Sequence, residues 1–313
     1  MNQIAILTSS FGTKNSASLE LCKNAGYEIV LNPYGRKLTE TEVVELAKNS
    51  IGIVAGLEPL SEKVLSKLSK LRVISRCGTG LDNIDLACAE RLKIQVFNTP
   101  SAPVVSVAEL TLGLMLNLLR KVIPMHQDLR QGTWKRQMGN LLSGKNIGII
   151  GFGRIGKKVA DICDAFEAHI AFYDPNQGIM SDRYPSKSFD DLLRWADIVT
   201  LHCSVEKKSQ PLLGASQMNL MHPGAWIINT SRGELIDEKA LLTALDSGQL
   251  AGAALDVFFE EPYQGLLQNQ PHIILTPHIG SYSEECREAM ETESVQNLLK
   301  GLGKIIRHAH VTP

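Results

Sequence analysis

The sequence predicts an α/β protein made of two doubly wound parallel-sheet domains. Three observations carry that prediction. Short apolar runs alternate with stretches of helical periodicity, the alternation restarts after a break near residue 100, and a glycine pattern in the second series marks a strand, a tight turn and a helix in succession. At 313 residues the chain exceeds one typical domain and can bury two cores. Net charge is −1, with no long basic run and no basic–aromatic interleaving, which sets aside nucleic acid and anionic membranes and points to a small-molecule partner. Cys22, Cys77, Cys88, Cys163, Cys203 and Cys286 are scattered without C-x-x-C spacing. They read as buried thiols of a reducing compartment, the cytoplasm, with no metal site among them. The N-terminal MNQIAILTSS lacks a basic segment followed by a long apolar stretch, so no signal peptide is expected.

In the first series, strands are expected at 4–8, 27–31, 51–55, 71–75 and 94–97. Helices belong between them. Gly26 can end a helix carrying Leu21, Cys22 and Ala25, and Thr39 with Glu42 makes a capping box ahead of Val43, Val44, Leu46 and Ala47. Asn98-Thr99-Pro100 reads as a crossing, because the residue before proline is pushed out of helical geometry. The apolar segment 104–119 is interrupted by Glu109 and Asn117 and is shorter than the ~20 residues that span a bilayer, so a helix buried on several sides is expected. The second series has strand candidates at 147–150, 170–174, 198–201, 225–230, 252–256 and 273–276. Asp237 can cap a helix holding Ala240, Leu241, Ala244 and Leu245, and Gly248 can end it. The stretch 284–299 reads as a last helix that packs back on the first domain.

The glycine pattern is IIGFGRIG. The apolar run 147–150 leads into it, and Ile155, Val159, Ile162, Cys163 and Phe166 follow at helical spacing. Gly151 permits the turn, Gly153 lets a pyrophosphate approach the backbone, and Gly156 lets helix and strand pack closely, with Arg154 and Ile155 in the first turn of the helix. Asp174 stands at the end of the next strand, where a carboxylate accepts ribose hydroxyls and repels a 2′-phosphate. No arginine follows it directly, so NAD is favoured over NADP. The expected organisation is a smaller, flavodoxin-like substrate domain at 1–99, completed by a C-terminal helix at 283–313, and a Rossmann NAD-binding domain at 100–282.

Three further segments, INTSRGELIDEKALLTAL, GAALDVFFEEP and ILTPHIG, resemble the D-isomer-specific 2-hydroxyacid dehydrogenases, the family of phosphoglycerate, glycerate and D-lactate dehydrogenases. SRCGTGLDNIDL and VFNTPSAPVVSVAELTLGLML resemble the family's substrate loop and interdomain helix, so the likeness covers nearly the whole chain. The resemblance implies that Arg232 binds substrate, Glu261 orients the catalytic histidine and His278 is the general acid/base. It further implies that Gly78, Thr79 and Gly80 form the substrate loop, that Asp256 lies near the nicotinamide carboxamide, and that Arg154, His202 and Cys203 lie beside the cofactor. A homodimer built around 104–119 is the expected assembly, and Trp134 resembles a residue that in some relatives reaches the neighbouring subunit's active site.

The chemistry of these side chains is suited to those roles. Oxidising a hydroxyl to a carbonyl requires hydride transfer and removal of the hydroxyl proton, and an imidazole suits the second task. A carboxylate on the other ring nitrogen fixes the tautomer and stabilises the imidazolium; Glu260 competes with Glu261 for that place, and the likeness of EEP to the family favours Glu261. An arginine fork can hold the substrate carboxylate and polarise its neighbouring C2 oxygen. Two departures from the family pattern stand out. LHCS carries Ser204 where the family has proline, and Ala55 stands where phosphoglycerate-type relatives carry a phosphate-binding arginine, a loss for which Arg76 could compensate. The expected reaction is NAD-linked interconversion of a D-2-hydroxy acid and a 2-oxo acid. The alternatives are a phosphoglycerate dehydrogenase, a phosphite dehydrogenase and an NAD-sensing, corepressor-like binding protein; Glu261 argues against formate oxidation, whose enzymes pair their histidine with glutamine.

Overall fold

A computed structural model describes residues 2–13, 15–176, 178–204 and 210–303; positions 304–313 of the expected last helix lie outside the described residues. The chain runs β1 (Gln3–Ile6), α1 (Ala17–Asn24), β2 (Glu28–Leu31), α2 (Glu40–Ala47), β3 (Ser50–Ala55), α3 (Glu62–Leu65), β4 (Val73–Arg76), α4 (Leu86–Arg91) and β5 (Gln95–Phe97). It continues through α5 (Pro103–Arg120), α6 (Val122–Arg130), β6 (Asn146–Ile150), α7 (Arg154–Ala165), β7 (His169–Tyr173), α8 (Phe189–Trp195) and β8 (Ile198–Leu201). The last elements are α9 (Ala215–Leu220), β9 (Ala225–Asn229), α10 (Glu238–Asp246), β10 (Leu250–Leu255), β11 (Ile273–Leu275) and α11 (Glu284–Gly301). Two compact units result, one of the described residues up to Pro103 and from Ser281 on, the other Val104–Gly280. The changes of unit thus fall a few residues from the expected breaks at 99/100 and 282/283.

The first unit holds a parallel sheet in the order β2-β1-β3-β4-β5, the doubly wound arrangement of flavodoxin-like domains. Its central strands are buried on both faces, which is why they read as unbroken apolar runs. Ile4, Ile6, Val54 and Val73 face Val295, Leu298 and Leu299 of α11. Ala5, Ile53 and Ile74 face Val43, Val64 and Cys88 from α2, α3 and α4. The predicted capping box opens α2: Thr39 Oγ1 accepts from the Glu42 amide, and Glu42 accepts from the Thr39 amide at 2.8 Å.

The second unit is a six-stranded parallel sheet ordered β11-β10-β9-β8-β6-β7. A one-residue bridge between Phe172 and Ser186 extends the edge beyond β7, and no sequence signal marked it. Helices α5 and α7 cover one face through Leu114, Met115, Val159 and Cys163. Helices α8, α9 and α10 cover the other through Leu192, Met218, Leu241 and Leu245. Because every pairing is parallel, the loops that follow β6 to β11 all emerge at one edge of the sheet.

Within the single chain, helix α5 is buried along one stripe. Ala108, Thr111, Leu114, Met115 and Leu119, at helical spacing, form its buried stripe, while Val105 is half exposed. By length and composition alone α5 could cross a bilayer, but that stripe packs on the sheet as a core helix does.

Candidate active site

The glycine turn after β6 is closed by the backbone after β8 at one glycine, by its own backbone at a second, and open at a third. Gly151 adopts φ +92°, and a Cβ there would lie 2.6 Å from the Cys203 amide nitrogen. At Gly156 a Cβ would lie 2.1 Å from the Gly151 carbonyl oxygen, so helix α7 meets the turn only because that atom is missing. At Gly153, the N-cap of α7, a Cβ would meet nothing within 4 Å. Arg154 and Ile155 open α7, whose first-turn amides have no intrahelical acceptor. A cradle with one open glycine at a helix N-terminus fits the pyrophosphate of a dinucleotide. Asp174 follows β7 directly; its Oδ2 accepts from the Phe152 amide at 2.7 Å and its Oδ1 from the Asn176 amide at 2.9 Å, which holds the carboxylate against the turn.

At the end of β8, His202 Nε2 and Thr200 Oγ1 are 2.9 Å apart, while Nδ1 is buried and has no partner among the described residues. Burial pushes this imidazole down to about 3, so the ring is neutral at physiological pH and suits packing or a neutral hydrogen bond, not charge. The Cys203 carbonyl accepts from Ser231 Oγ, and burial pushes the Cys203 thiol up to about 11, which leaves it a thiol and not a nucleophile. Ser204, at the departure from the family pattern, is exposed, and 205–209 lie outside the described residues.

Arg232, Glu261 and His278 follow three adjacent strands, β9, β10 and β11. Asn229, buried at the end of β9, donates from Nδ2 to the Arg232 carbonyl at 2.8 Å and accepts the Ser231 amide at 3.0 Å, so the loop carrying Arg232 is fixed to the sheet. The Arg232 guanidinium donates to the Ser231 carbonyl at 2.7 Å. After β10, Glu261 Oε1 accepts from the Phe258 amide at 3.2 Å, and Oε2 lies 2.8 Å from His278 Nδ1. Of the two adjacent acids it is therefore Glu261 that meets the histidine, and Glu260 is exposed. The paired side chains remain 33% and 32% exposed, open enough for His278 to meet a ligand.

Two features of this edge had no sequence signal. A Cβ at Gly233 would lie 1.9 Å from the Phe258 carbonyl carbon, so the Arg232 loop and the Glu261 loop touch backbone to backbone. Asp256 is fully buried, and both its oxygens serve the turn that carries His278: Oδ1 accepts from Thr276 Oγ1 at 2.6 Å and the Ile279 amide at 2.8 Å, and Oδ2 accepts from the Gly280 amide at 2.8 Å. Burial pushes its carboxyl above the usual range, against the pull of those hydrogen bonds. His278 itself sits at φ +54°, a left-handed backbone rare for a residue with a side chain. Sequence resemblance gave Asp256 to the cofactor; in the structure it grips the histidine turn.

In the first unit, Gly78 (φ +145°) donates its amide to Thr99 Oγ1 at 2.8 Å. The amides of Thr79 and Gly80 make no bond to the described residues and are the available donors of that turn. Arg76, the last residue of β4, is buried, donates to the Cys77 carbonyl, and packs so tightly under Gly78 that a Cβ there would lie 2.7 Å from Nη1. Its charge acts on the buried Glu58, whose carboxyl burial pushes up and Arg76 pulls down. Among the described residues no cluster of three or more His, Cys, Asp or Glu is placed to hold a metal ion.

Comparison with known proteins agrees with this geometry. A family model described as "D-isomer specific 2-hydroxyacid dehydrogenase, NAD binding domain" matches residues 112–280. The chain is 40% identical over 275 residues to a D-3-phosphoglycerate dehydrogenase of Methanocaldococcus jannaschii, covering 84% of this chain but only 52% of that one. It is 34% identical to a glyoxylate reductase of Thermococcus litoralis over 77% of both chains. The crystal structure of the TT0316 protein from Thermus thermophilus superposes with a TM-score of 0.89 at 32% identity, covering 96% of this chain and 97% of the other. The chain thus spans about half the length of the phosphoglycerate relative and most of the glyoxylate relative.

Proposed function

This chain belongs to the D-isomer specific 2-hydroxyacid dehydrogenase family, and from that premise we propose that it interconverts a D-2-hydroxy acid and its 2-oxo acid with NAD. The observation that carries the reading is the 2.8 Å pairing of Glu261 with His278 at the sheet edge that also bears Arg232 and the glycine cradle. When bound, NAD supplies the hydride acceptor in oxidation and the donor in reduction. With Glu261 accepting from Nδ1–H, Nε2 of His278 is the nitrogen that removes the hydroxyl proton in oxidation and returns it to the carbonyl oxygen in reduction. Glu261 holds that tautomer and stabilises the imidazolium. Arg232 pins the substrate carboxylate, and within the first unit the Thr79 and Gly80 amides are the donors of an anion-binding turn. Gly151, Gly153 and Gly156 with the first turn of α7 hold the pyrophosphate. Asp174 selects NAD through its ribose hydroxyls, and His202 and Cys203 complete that wall, while Asp256 holds the turn that carries His278.

The substrate we favour is small and unphosphorylated. Ala55 offers no cation, and Arg76, a candidate for a substitute, is buried under Gly78 with its charge acting on Glu58. A buried phosphate without a close cation is costly. Steady-state assays with glyoxylate, hydroxypyruvate and 3-phosphohydroxypyruvate, each with NADH and NADPH, test both selections together. The unphosphorylated acids with NADH are expected to give the highest kcat/KM. A lead of ~100-fold for the phosphorylated acid, roughly 2.7 kcal/mol in transition-state binding, would sink the substrate reading, and equal use of NADPH would sink the Asp174 reading. NADH that binds but is not consumed by any acid would mark a sensor instead.

A homodimer in the cytoplasm is the assembly and location we propose. Val105 on α5, Val122, Ile123 and Leu129 on α6, and Trp134 and Met138 beyond them are exposed, the last two at 81% and 90%. A second copy of the chain would cover these exposed apolar side chains. All six cysteines are free thiols, as a reducing compartment requires. Sedimentation equilibrium is expected to return twice the chain mass; a monomer at working concentration removes the dimer.

A further inference from the structure

Glu261 lies on a stretch between β10 and β11 that forms neither helix nor strand until Leu266–Asn269, so the sheet does not fix its position directly. Something else must hold its carboxylate to the histidine. The structure supplies a candidate in Glu238, the first residue of α10, whose N-cap Asp237 accepts the Lys239 and Ala240 amides at 3.0 and 3.1 Å. Glu238 Oε2 accepts from Tyr263 Oη at 3.0 Å, and Oε1 receives the Phe259 amide at 3.5 Å. The two oxygens of one helix-borne carboxylate therefore grip the loop two residues before and two residues after Glu261.

Tyr263 is itself fixed on several sides. Its ring stacks on Phe258 with centroids 4.2 Å apart, its hydroxyl accepts from the Leu267 amide at 3.2 Å, and it lies so close over Gly265 that a Cβ there would sit 2.4 Å from the ring. Phe258 closes the circuit, since its amide is the donor to Glu261 Oε1 and its carbonyl carbon rests on Gly233, next to Arg232. Every contact in this chain is within one unit and ends at the carboxylate that meets His278.

We propose that Glu238 and Tyr263 are positioning residues of the acid–base pair, acting through Glu261 by fixing the loop that presents its carboxylate to His278. The inference rests on the reading of Glu261 and His278 as that pair. Neither residue needs to touch substrate or cofactor. A hydroxyl-to-carboxylate hydrogen bond is among the stronger kinds, and losing it frees the loop to sample positions in which Glu261 no longer meets the imidazole.

The test uses the full chain and four variants, Tyr263→Phe, Glu238→Gln, Glu261→Gln and the Tyr263→Phe/Glu261→Gln double variant, with glyoxylate and NADH. Tyr263→Phe keeps the ring on Phe258 and removes only the hydroxyl, and is expected to lower kcat about tenfold, equivalent to ~1.4 kcal/mol, with KM and NADH affinity unchanged within about twofold. Glu238→Gln keeps one acceptor oxygen and is expected to fall between it and the unaltered protein. In the Glu261→Gln background the tyrosine change is expected to cost less than about twofold, because the group it positions is already gone. A change that merely loosened the fold would lower both backgrounds alike. Normal kcat in folded Tyr263→Phe and Glu238→Gln beside an impaired Glu261→Gln overturns the brace and leaves the acid–base pair standing. A full loss that persists in the Glu261→Gln background also overturns the brace. An unimpaired Glu261→Gln overturns both readings. If Tyr263→Phe does not fold, as thermal unfolding will report, Glu238→Gln and its double variant with Glu261→Gln decide in the same way.

Discussion

His278→Ala is expected to lower kcat by about 10²–10⁴-fold, the usual contribution of general acid–base catalysis, while NADH binding stays close to normal. The split follows from where the side chain sits. His278 follows β11 and meets Glu261, whereas the glycine turn and Asp174 follow β6 and β7, and none of the bonds that shape the cradle involves the imidazole. Folding should not suffer, because the histidine is a third exposed and its backbone turn is held by Asp256 whatever side chain it carries. Fluorescence titration with NADH and steady-state absorbance on the same preparation check the two halves separately. Turnover within a few-fold of normal in a folded His278→Ala variant would remove the residue from the chemistry and move attention to another proton carrier.

The second large effect is expected at Arg232. Glutamine keeps most of the length and one donor but loses the charge and the planar fork, and hydrogen bonds to charged groups are worth about 1.5–3 kcal/mol each. Arg232→Gln should therefore lower kcat/KM for a 2-oxo acid about 100-fold, ~2.7 kcal/mol. The loop will survive the exchange, since Asn229 binds the Arg232 carbonyl and Gly233 packs on Phe258, both through the main chain. A carboxylate anchor predicts that most of the loss falls on KM, with kcat reduced further only to the extent that the guanidinium also polarises the C2 oxygen. Equal kcat/KM for the 2-oxo acid in both proteins would show that the carboxylate is held elsewhere.

Much of this was legible in the chain. Every strand expected from an apolar run exists, because parallel strands covered on both faces must be apolar throughout and cannot hide behind alternation. Their ends moved by one or two residues, as at β4, which runs on to Arg76, and β10, which begins at Leu250. The caps at Thr39 and Asp237 were legible because capping is local. What was not legible depends on contacts between distant segments. The Phe172–Ser186 bridge is too short to carry a pattern, and Gly233 reveals itself only through the Phe258 backbone that comes against it. Asp256 could be read as facing the cofactor or facing inward, and only the positions of Thr276, Ile279 and Gly280 decide that both oxygens are engaged inward. Arg76 likewise could stand in for the missing cation at Ala55 until its burial under Gly78 was visible. Sequence fixes which chemistry a segment can offer, and the tertiary fold decides which neighbour receives it.

The left-handed backbone at His278 sets folding and reaction against each other at a single position. A side chain there costs on the order of 1–3 kcal/mol, and glycine or asparagine would suit that conformation better. The three hydrogen bonds that Asp256 accepts hold the turn in place despite that cost. Selection for stability alone would replace this histidine, so its persistence would report selection for turnover. A descendant that had given up catalysis while keeping the fold would be expected to lose His278 early and to gain, not lose, resistance to unfolding.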